Sequence, residues 1–530
     1  TGKNMTDPAV TTYSSPAAEK RLKRRRAADT RFRYYGLGAI LLAMGALVLL
    51  GASIGSQAVS AASYHVVKYT VTLDRDMVAP PGEDRPEDIA RNVDGFYTIV
   101  RDSLIETFPE SDVDRAARAE ISDFLTRLAV LPTARKVARQ PELIGTSISL
   151  TAPLNDDLDL YLKRQGVSER RFRSGPVTEV TRLDDTNARI GGSAAFAPVL
   201  PAMTLAVSEG AIIEDMTVLL TAGRSTGRLF EIGPDSARLE LLTGSLDAFQ
   251  NTSGLAMRLI PLPESRRPVT DRQIAWTLAL KEDGRISRVP RWTLLTNTDS
   301  TYPELAGGLA AIAGSFMVMI ITAMFAIPVG ILAAVYLEEF APKNRVTDFI
   351  EVNINNLAAV PSIVFGLLGV ALYLNFLGMP RSAPIVGGLV LALMTFPVVI
   401  IASRAALKAV PPSVRAGALA VGASQMQTVF HHVVPLAAPG ILTGAILGMA
   451  RALGETAPLL LIGMVAFVGD IPSGPSDEST VLPVLIFSWS NNAERAWEPM
   501  TSALIAILLV FLLLMNGLVV FLRRKYERRW

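Results

Sequence analysis

The chain has 530 residues, 50% of them hydrophobic, and a mean hydropathy of +0.34, which is too apolar for a single soluble domain. No cysteine is present, so disulfides, Cys-ligated zinc and thiol catalysis are excluded. The formal net charge of +2 selects no class of partner; the distribution says more, with dense basic runs at the two ends.

Residues 1–33 are polar and basic, with the run Lys20-Arg21-Leu22-Lys23-Arg24-Arg25-Arg26 followed by Arg31 and Arg33. A largely disordered tail is expected, with Met5 a candidate initiator. Residues 34–62 are apolar and long enough to cross a bilayer, which takes about 20 such residues. They are too long for a signal-peptide core and read as a retained anchor, with Tyr34 and Tyr35 at its interface. Short basic flanks stay in the cytoplasm, so both the first tail and residues 523–530, with Arg523, Arg524 and Lys525, are placed inside. Beside a span, such a run sets topology and touches anionic lipid; no nucleic-acid partner is expected.

Residues 63–300 behave like a soluble protein and are placed outside the cytoplasm. Ile89, Val93, Phe96, Val100 and Leu104 recur at helical spacing, as do Val113, Ala117, Ile121, Phe124 and Leu128. Pro86 and Ser111 are expected helix starts. Residues 146–151 alternate like a strand, and 274–280 with 285–289 read as a hairpin around Lys281-Glu282-Asp283-Gly284. An α+β domain follows. It shows no catalytic constellation. His65 reads as bland, Asp156, Asp157 and Asp159 fit the first turn of a helix better than a calcium loop, and Arg266-Arg267 and Arg170–Arg173 read as solvated surface.

Five more apolar stretches, 305–337, 352–380, 382–403, 435–468 and 499–522, bring the expected spans to six and define a membrane module over 301–522. Pro328 is expected to kink its span. Gly330, Gly366, Gly369, Gly387 and Gly388 permit close helix approach. Residues 405–434 are too polar and broken to span and are placed inside. Pro411-Pro412 opens a helix, Gly422 breaks it, and the capping box Ser424-Gln425-Met426-Gln427 restarts it. Met426, Val429, Phe430 and Val433 then form an apolar stripe suited to docking in a partner's groove. Adjacent His431 and His432 point to different sides and offer poor metal geometry; no metal or cofactor is expected.

Two charges sit within the fifth span, in Met449-Ala450-Arg451-Ala452-Leu453-Gly454-Glu455-Thr456-Ala457-Pro458, and no other ionisable group lies between Val433 and Gly469. A charge inside a bilayer costs at least about 2.5–3.5 kcal/mol, so such residues usually face a bundle interior or a water-filled path. Four residues apart on a helix, Arg451 and Glu455 share a face and pair. Interhelical glue and a place on a substrate pathway are both open readings. The guanidinium keeps its proton and offers a planar fork suited to phosphate or carboxylate.

Arg415-Ala416-Gly417-Ala418-Leu419-Ala420-Val421-Gly422, closed by Pro435, resembles the coupling loop of ABC-importer permeases, the "EAA" motif. Ala418, Gly422 and Pro435 match the family pattern. Ala416 stands where the family has Glu, Gly417 where it has Ala, and His432 and Val434 where it has Ile and Leu. The run from Arg451 to Leu460 resembles, more narrowly, the phosphate-importer permease of the PstA type. Ala306-Gly307-Gly308, Tyr336-Leu337 and Val360-Pro361-Ser362-Ile363-Val364-Phe365-Gly366 fit the same family, over about residues 292–521.

The resemblance implies an α-helical polytopic membrane protein with six transmembrane helices of ABC-importer permease type and an α+β extracytoplasmic domain inserted between helices 1 and 2, set in the bacterial plasma (inner) membrane. It implies a second permease subunit of similar fold, a dimer of ATP-binding subunits docked on the coupling loops, and an extracytoplasmic binding protein that delivers phosphate. Arg451, Glu455 and Thr456 would line the pathway; Arg415, Ala418, Gly422, Met426, Phe430 and Pro435 would form the coupling site. The chain has no Gly-x-x-x-x-Gly-Lys-Ser/Thr, so ATP hydrolysis is assigned to another chain, and this one is not expected to be an enzyme. A membrane-anchored sensor and an ion-coupled secondary transporter are the alternatives, weakened by short tails and by the lack of a clear internal repeat.

Overall fold

The computed structural model describes residues 16–526 except 114, 209–211, 213–214 and 465–466. The tail before Pro16 and residues 527–530, with Arg528 and Arg529, lie outside the described residues. From Pro16 the expected disorder gives way to one helix, α1 (Pro16–Ala61), which carries the basic run straight into the apolar span. Lys, Arg and Ala are good helix formers, and the span beyond them supplies the nucleus that a free basic peptide lacks.

Two lobes follow. In the first, β1 (Ser63–Thr72) lies between β2 (Ser147–Pro153) and a last strand, β10, in an antiparallel sheet. Its core takes Phe96, Val100 and Leu104 from α2 (Val93–Thr107), at the spacing expected. Ile89 belongs to a separate short helix, Pro86–Arg91, which Pro86 opens. Helix α3 (Asp156–Leu162) has its three aspartates in the first turn. The second lobe is a seven-stranded antiparallel sheet. Its strands are β3 (Arg170–Arg173), β4 (Glu179–Arg182), β5 (Asn187–Gly191), β6 (Thr217–Ala222), β7 (Ser225–Phe230), β8 (Ser236–Thr243) and β9 (Ala256–Ile260), in the order β3-β9-β6-β7-β8-β5-β4. The chain then returns to the first lobe through α4 (Asp271–Glu282) and β10 (Ile286–Pro290).

Helix α4 overturns the expected hairpin. Thr270 and Gln273 form a capping box at its start, and Ile274, Ala275, Trp276, Thr277, Ala279 and Leu280 are all buried. A helix buried on nearly every side shows no polar face, and its short apolar run is indistinguishable from a strand by pattern alone. Arg267 also departs from expectation. Arg266 is exposed, but the Arg267 side chain is fully buried and its Nη2 donates to Asp271 Oδ1 at 2.7 Å and to Thr217 Oγ1 at 3.0 Å. Arg228 Nε lies 3.0 Å from the other Asp271 oxygen, so the cluster ties α4 to β6 and β7 and joins the lobes. Arg267→Ala should therefore destabilise the protein by about 1–3 kcal/mol, because it removes one of the two cations that offset the buried Asp271 carboxylate. Thermal unfolding of the purified protein checks this; a melting temperature equal to wild type would count against it.

The membrane module holds α5 (Leu309–Val335), α6 (Arg345–Ala358), α7 (Ser362–Gly369), α8 (Pro384–Lys408), α9 (Pro412–Ala420), α10 (Val434–Leu453), α11 (Ala457–Leu461), α12 (Leu482–Ser490) and α13 (Trp497–Tyr526). Among the described residues five helices are long and apolar enough to cross a membrane by themselves, and six segments qualify when the bent pair Arg345–Ala358 and Ser362–Phe376 is taken as one span. The expected third span is a pair, Arg345–Ala358 and Ser362–Phe376, bent by 103°. Pro361 lacks the N–H that a continuing helix needs and disfavours helical geometry at Val360. The expected fifth span also stops early: α10 ends at Leu453, capped by Gly454.

Helix α8 packs between α5 and α10. On α10 the stripe Gly440, Gly444 and Gly448 faces α8 so closely that a Cβ there would lie 2.6 Å from Ala406, 2.2 Å from Ala402 and 2.8 Å from Thr395. This small-residue seam lets two membrane helices approach backbone to backbone. Helix α1 lies at the edge, against α13.

Candidate functional site

Helices α5 and α8 finish at the end of the module away from the sheets, and their last turns are ionic. Helix α5 runs into a π-turn, Tyr336–Phe340, carrying Glu338 and Glu339. Arg404 Nη2 lies 2.5 Å from Glu351 Oε1 and its Nε 3.4 Å from Glu338; Lys408 Nζ lies 3.6 Å from Glu338. Arg415, on α9, donates Nη2 to Glu339 Oε1 at 2.6 Å and Nε to Oε2 at 3.1 Å. It also donates to the carbonyls of Leu407 at 3.0 Å and Val410 at 2.8 Å. Its hydrogen bonds to Glu339 raise the guanidinium further above its ordinary range. Gln425 Nε2 donates to the Glu339 carbonyl at 2.8 Å. The two glutamates thus fasten the end of α5 to α8 and to the 405–434 segment.

Within that segment the local signals act as expected. Pro411 caps α9 and Pro412 opens it. At the other end Gly422 takes φ +92°, its N–H donates to Leu419 O at 3.0 Å, and the Ala423 N–H donates to Ala418 O at 3.1 Å. This is the left-handed glycine cap with both of its hydrogen bonds. Ser424 and Gln427 then form the reciprocal capping box. A three-residue helix, Gln425–Gln427, and a π-turn, Thr428–Val433, lead into α10.

The candidate coupling residues divide by exposure. Met426 and Phe430 are 60% and 41% exposed, and beside them Leu419 and Val421 are 52% and 85% exposed. Ala418 is buried, and Pro435 is exposed at the start of α10. Val429 and Val433 leave the expected stripe and pack against Val335, Leu407 and Ile441. Arg415 turns inward to Glu339, where it fixes the segment.

At the opposite end of α10, Arg451 Nε lies 3.5 Å from Glu455 Oε1. The pair is not a helical i,i+4 pair: Gly454 ends α10, Glu455 follows the cap, and Thr456 caps α11, whose Leu459 and Leu460 N–H groups donate to the Thr456 carbonyl at 3.1 and 3.0 Å. A helix stop and a helix start within three residues therefore bring the three candidate pathway residues together. The Arg451 side chain is 47% exposed and that of Glu455 20%. Met449 and Leu453 point the other way, into a cluster with Met319 of α5 and Phe511, Leu512 and Met515 of α13. Leu447, one turn before Arg451, is 63% exposed on the same open face. Ala452 shares a core with Val318 and Leu391, which places the pair in the half of the bundle nearer the sheets.

Sequence reasoning missed a second ionic junction, where the sheets meet the membrane module. Asp159 binds His65 through Nδ1 and through the backbone N–H, both at 2.8 Å, and Lys163 at 2.8 Å. Arg291 lies 3.6 Å from Asp159, sits over the Tyr64 ring at 4.8 Å, and donates to Pro303 O at 3.0 Å. Burial opposes ionisation of Asp159, but His65, Lys163 and Arg291 outweigh it and hold the carboxyl below its usual range. His65 is therefore a structural partner rather than bland surface. His65 follows the first span closely, but Asp159 and Lys163 lie far from any span in the sequence, and nothing local shows that they converge with Arg291.

Comparison with known proteins gives two family matches. Residues 326–528 match the binding-protein-dependent transport system inner membrane component, and residues 19–171 match a domain of unknown function, DUF3333. Over 165 residues the chain is 38% identical to the probable ABC transporter permease protein YqgI of Bacillus subtilis, covering 31% of this chain and 55% of that protein. Over 198 residues it is 38% identical to the phosphate transport system permease protein PstA of Mycobacterium leprae, covering 36% and 63%. With PstA 1 of Mycobacterium tuberculosis (strain CDC 1551 / Oshkosh) it shares 34% over 234 residues, 42% of this chain and 72% of that protein. The chain thus spans less than two thirds of the first two relatives and more than two thirds of the third.

Proposed function

Since the chain belongs to the PstA-type family of ABC transporter permeases, binding-protein-dependent inner membrane components, we propose that it forms half of the translocation pathway of an ATP-driven phosphate importer. The observation that carries this reading is the Arg451 guanidinium on the open face of α10, held by one weak contact to Glu455. An anion entering a low-dielectric path needs fixed positive charge, and release requires that the charge not be overwhelming. Arg451 supplies the charge. Glu455 offsets and orients it, and Thr456 holds the turn that places both.

The open face is where a second permease of similar fold completes the path. The basic flank of α1 sets the 405–434 end in the cytoplasm and the sheets outside. ATP-binding subunits dock on Met426, Phe430, Leu419 and Val421, and hydrolysis takes place there rather than on this chain. Their movement reaches α5 and α8 through Arg415, Glu339, Glu338 and Arg404. An extracytoplasmic binding protein hands phosphate to the outer end. Proteoliposomes holding the purified complex should take up labelled phosphate only when ATP reaches the ATP-binding subunits. Uptake driven by an ion gradient without ATP, or ATP-driven uptake of another solute with none of phosphate, would overturn the proposal.

A further inference from the structure

A π-turn holds one residue more than an α-helical turn, is rare, and gathers at functional sites. Two such turns meet at the inner end of this bundle. In Tyr336–Phe340 the Ala341 N–H reaches five residues back to the Tyr336 carbonyl at 2.8 Å. In Thr428–Val433 the Val434 N–H reaches five back to the Val429 carbonyl. Leu337 of the first turn shares a core with Val429 and Val433 of the second. Gln425, just before the second, donates to the Glu339 carbonyl of the first at 2.8 Å.

The second turn contains an idle group. Thr428 is 3% exposed, and its hydroxyl has no hydrogen-bond partner among the described residues. In α5, α8 and α10 the hydroxyls of Thr322, Thr395 and Thr443 each donate to the carbonyl four residues back, at 2.8, 2.7 and 2.7 Å. A buried hydroxyl left unpaired is costly and calls for an explanation. Pro435, at the start of α10, adds a second observation. It has no N–H, so it donates neither to the carbonyl four back nor to the one five back. The ladder is therefore already interrupted just beyond the turn, and the π and α registers differ there by fewer hydrogen bonds than in an unbroken helix.

We propose that Thr428–Val433 is a register switch between the docking segment and α10. In the state described here the extra residue sits in the turn and the Thr428 hydroxyl is idle. In the other state the turn is α-helical and Thr428 donates to the carbonyl four back, as the other threonines do. The parts on either side then shift against each other by one residue, about 100° and 1.5 Å. Met426 lies before the switch and Arg451 beyond it on α10, so the shift re-aims the guanidinium relative to whatever holds the docking patch. Gln425 lets go of Glu339 in the same step, which frees the end of α5. The link to transport rests on the importer reading; the switch itself does not.

Thr428→Val tests the switch, because it removes the idle hydroxyl from one state and a hydrogen bond from the other. Purified permease with this change should melt about 2–4 °C above wild type. Its amides over residues 429–434 should exchange with deuterium about tenfold more slowly, because the second state is visited less often. In the assembled complex ATP-driven phosphate uptake should fall about tenfold, while Thr428→Ser, which keeps the hydroxyl, should stay within about threefold of wild type. A threonine that only packs would move stability and uptake in the same direction. A lower melting temperature or loss of the fold, unchanged amide exchange, or wild-type uptake by Thr428→Val would overturn the switch. If the wild-type complex takes up no phosphate with ATP, the importer reading fails, and melting and exchange of the permease alone still decide the switch.

Discussion

Replacing Arg451 by Gln is expected to cut phosphate uptake by about 10–100-fold, the worth of one hydrogen bond to a charged group, while the protein accumulates in the membrane at wild-type abundance. The second half of that expectation comes from the geometry. The side chain is 47% exposed, its one ion pair is 3.5 Å long, and the faces of α10 that hold the helix in place belong to Met449, Leu453 and the Gly440–Gly444–Gly448 seam. Exposed pairs of this kind add little to stability. Arg451→Lys should recover part of the uptake, since it restores the charge without the planar fork. Glu455→Gln should act in the opposite sense, leaving the guanidinium uncompensated so that phosphate binds more tightly and leaves more slowly. Labelled phosphate uptake, with abundance followed by immunoblot, decides. Normal uptake by Arg451→Gln would take the residue off the pathway, whereas loss of the protein would make the pair structural glue.

What was legible in the sequence was local. Pro411-Pro412, Gly422 and the Ser424–Gln427 box each act within four residues, and each closes a helix end as its chemistry requires. The first turn of α3 and the start of the helix at Pro86 belong with them. What failed needed partners distant in sequence. Arg267 reads as surface until Asp271, Thr217 and Arg228 surround it. Glu338 and Glu339 lie just past the apolar stretch 305–337, and their partners come from elsewhere, Arg404 and Lys408 from α8 and Arg415 from α9. Hydropathy found the apolar stretch 352–380 but, because it sums residues, not the 103° bend at Pro361 that splits it into two helices. It likewise carried the fifth span past Gly454, so that Arg451 and Glu455 looked like neighbours on one helix. They do meet, but across a helix terminus, which fixes the carboxylate through the turn rather than through helical register.

The second large effect is expected at the other end of α10. Met426→Asp and Phe430→Asp should each lower recovery of the ATP-binding subunit with the purified permease by about tenfold or more. Removing one large apolar side chain from a docked interface forfeits about 1.5–3 kcal/mol, and a carboxylate in its place adds a desolvation penalty. Neither change should harm the chain itself, because both side chains stand outside the core in a patch continued by Leu419 and Val421. Val429→Asp provides the contrast. Val429 lies three residues from Met426 and is 2% exposed, packed with Val335, Leu407 and Ile441. Its replacement should reduce the amount of folded permease rather than its affinity for a partner. Arg415→Ala should fall between the two: docking survives in part, but ATP hydrolysis and uptake lose proportion to each other, because the strut from α9 to Glu339 is gone. Quantified co-purification, with folded permease measured separately by size-exclusion chromatography, distinguishes these outcomes. If Met426→Asp and Val429→Asp behave alike, the exposed patch is not the docking surface, and the link from the ATP-binding subunits to α5 and α8 must run elsewhere.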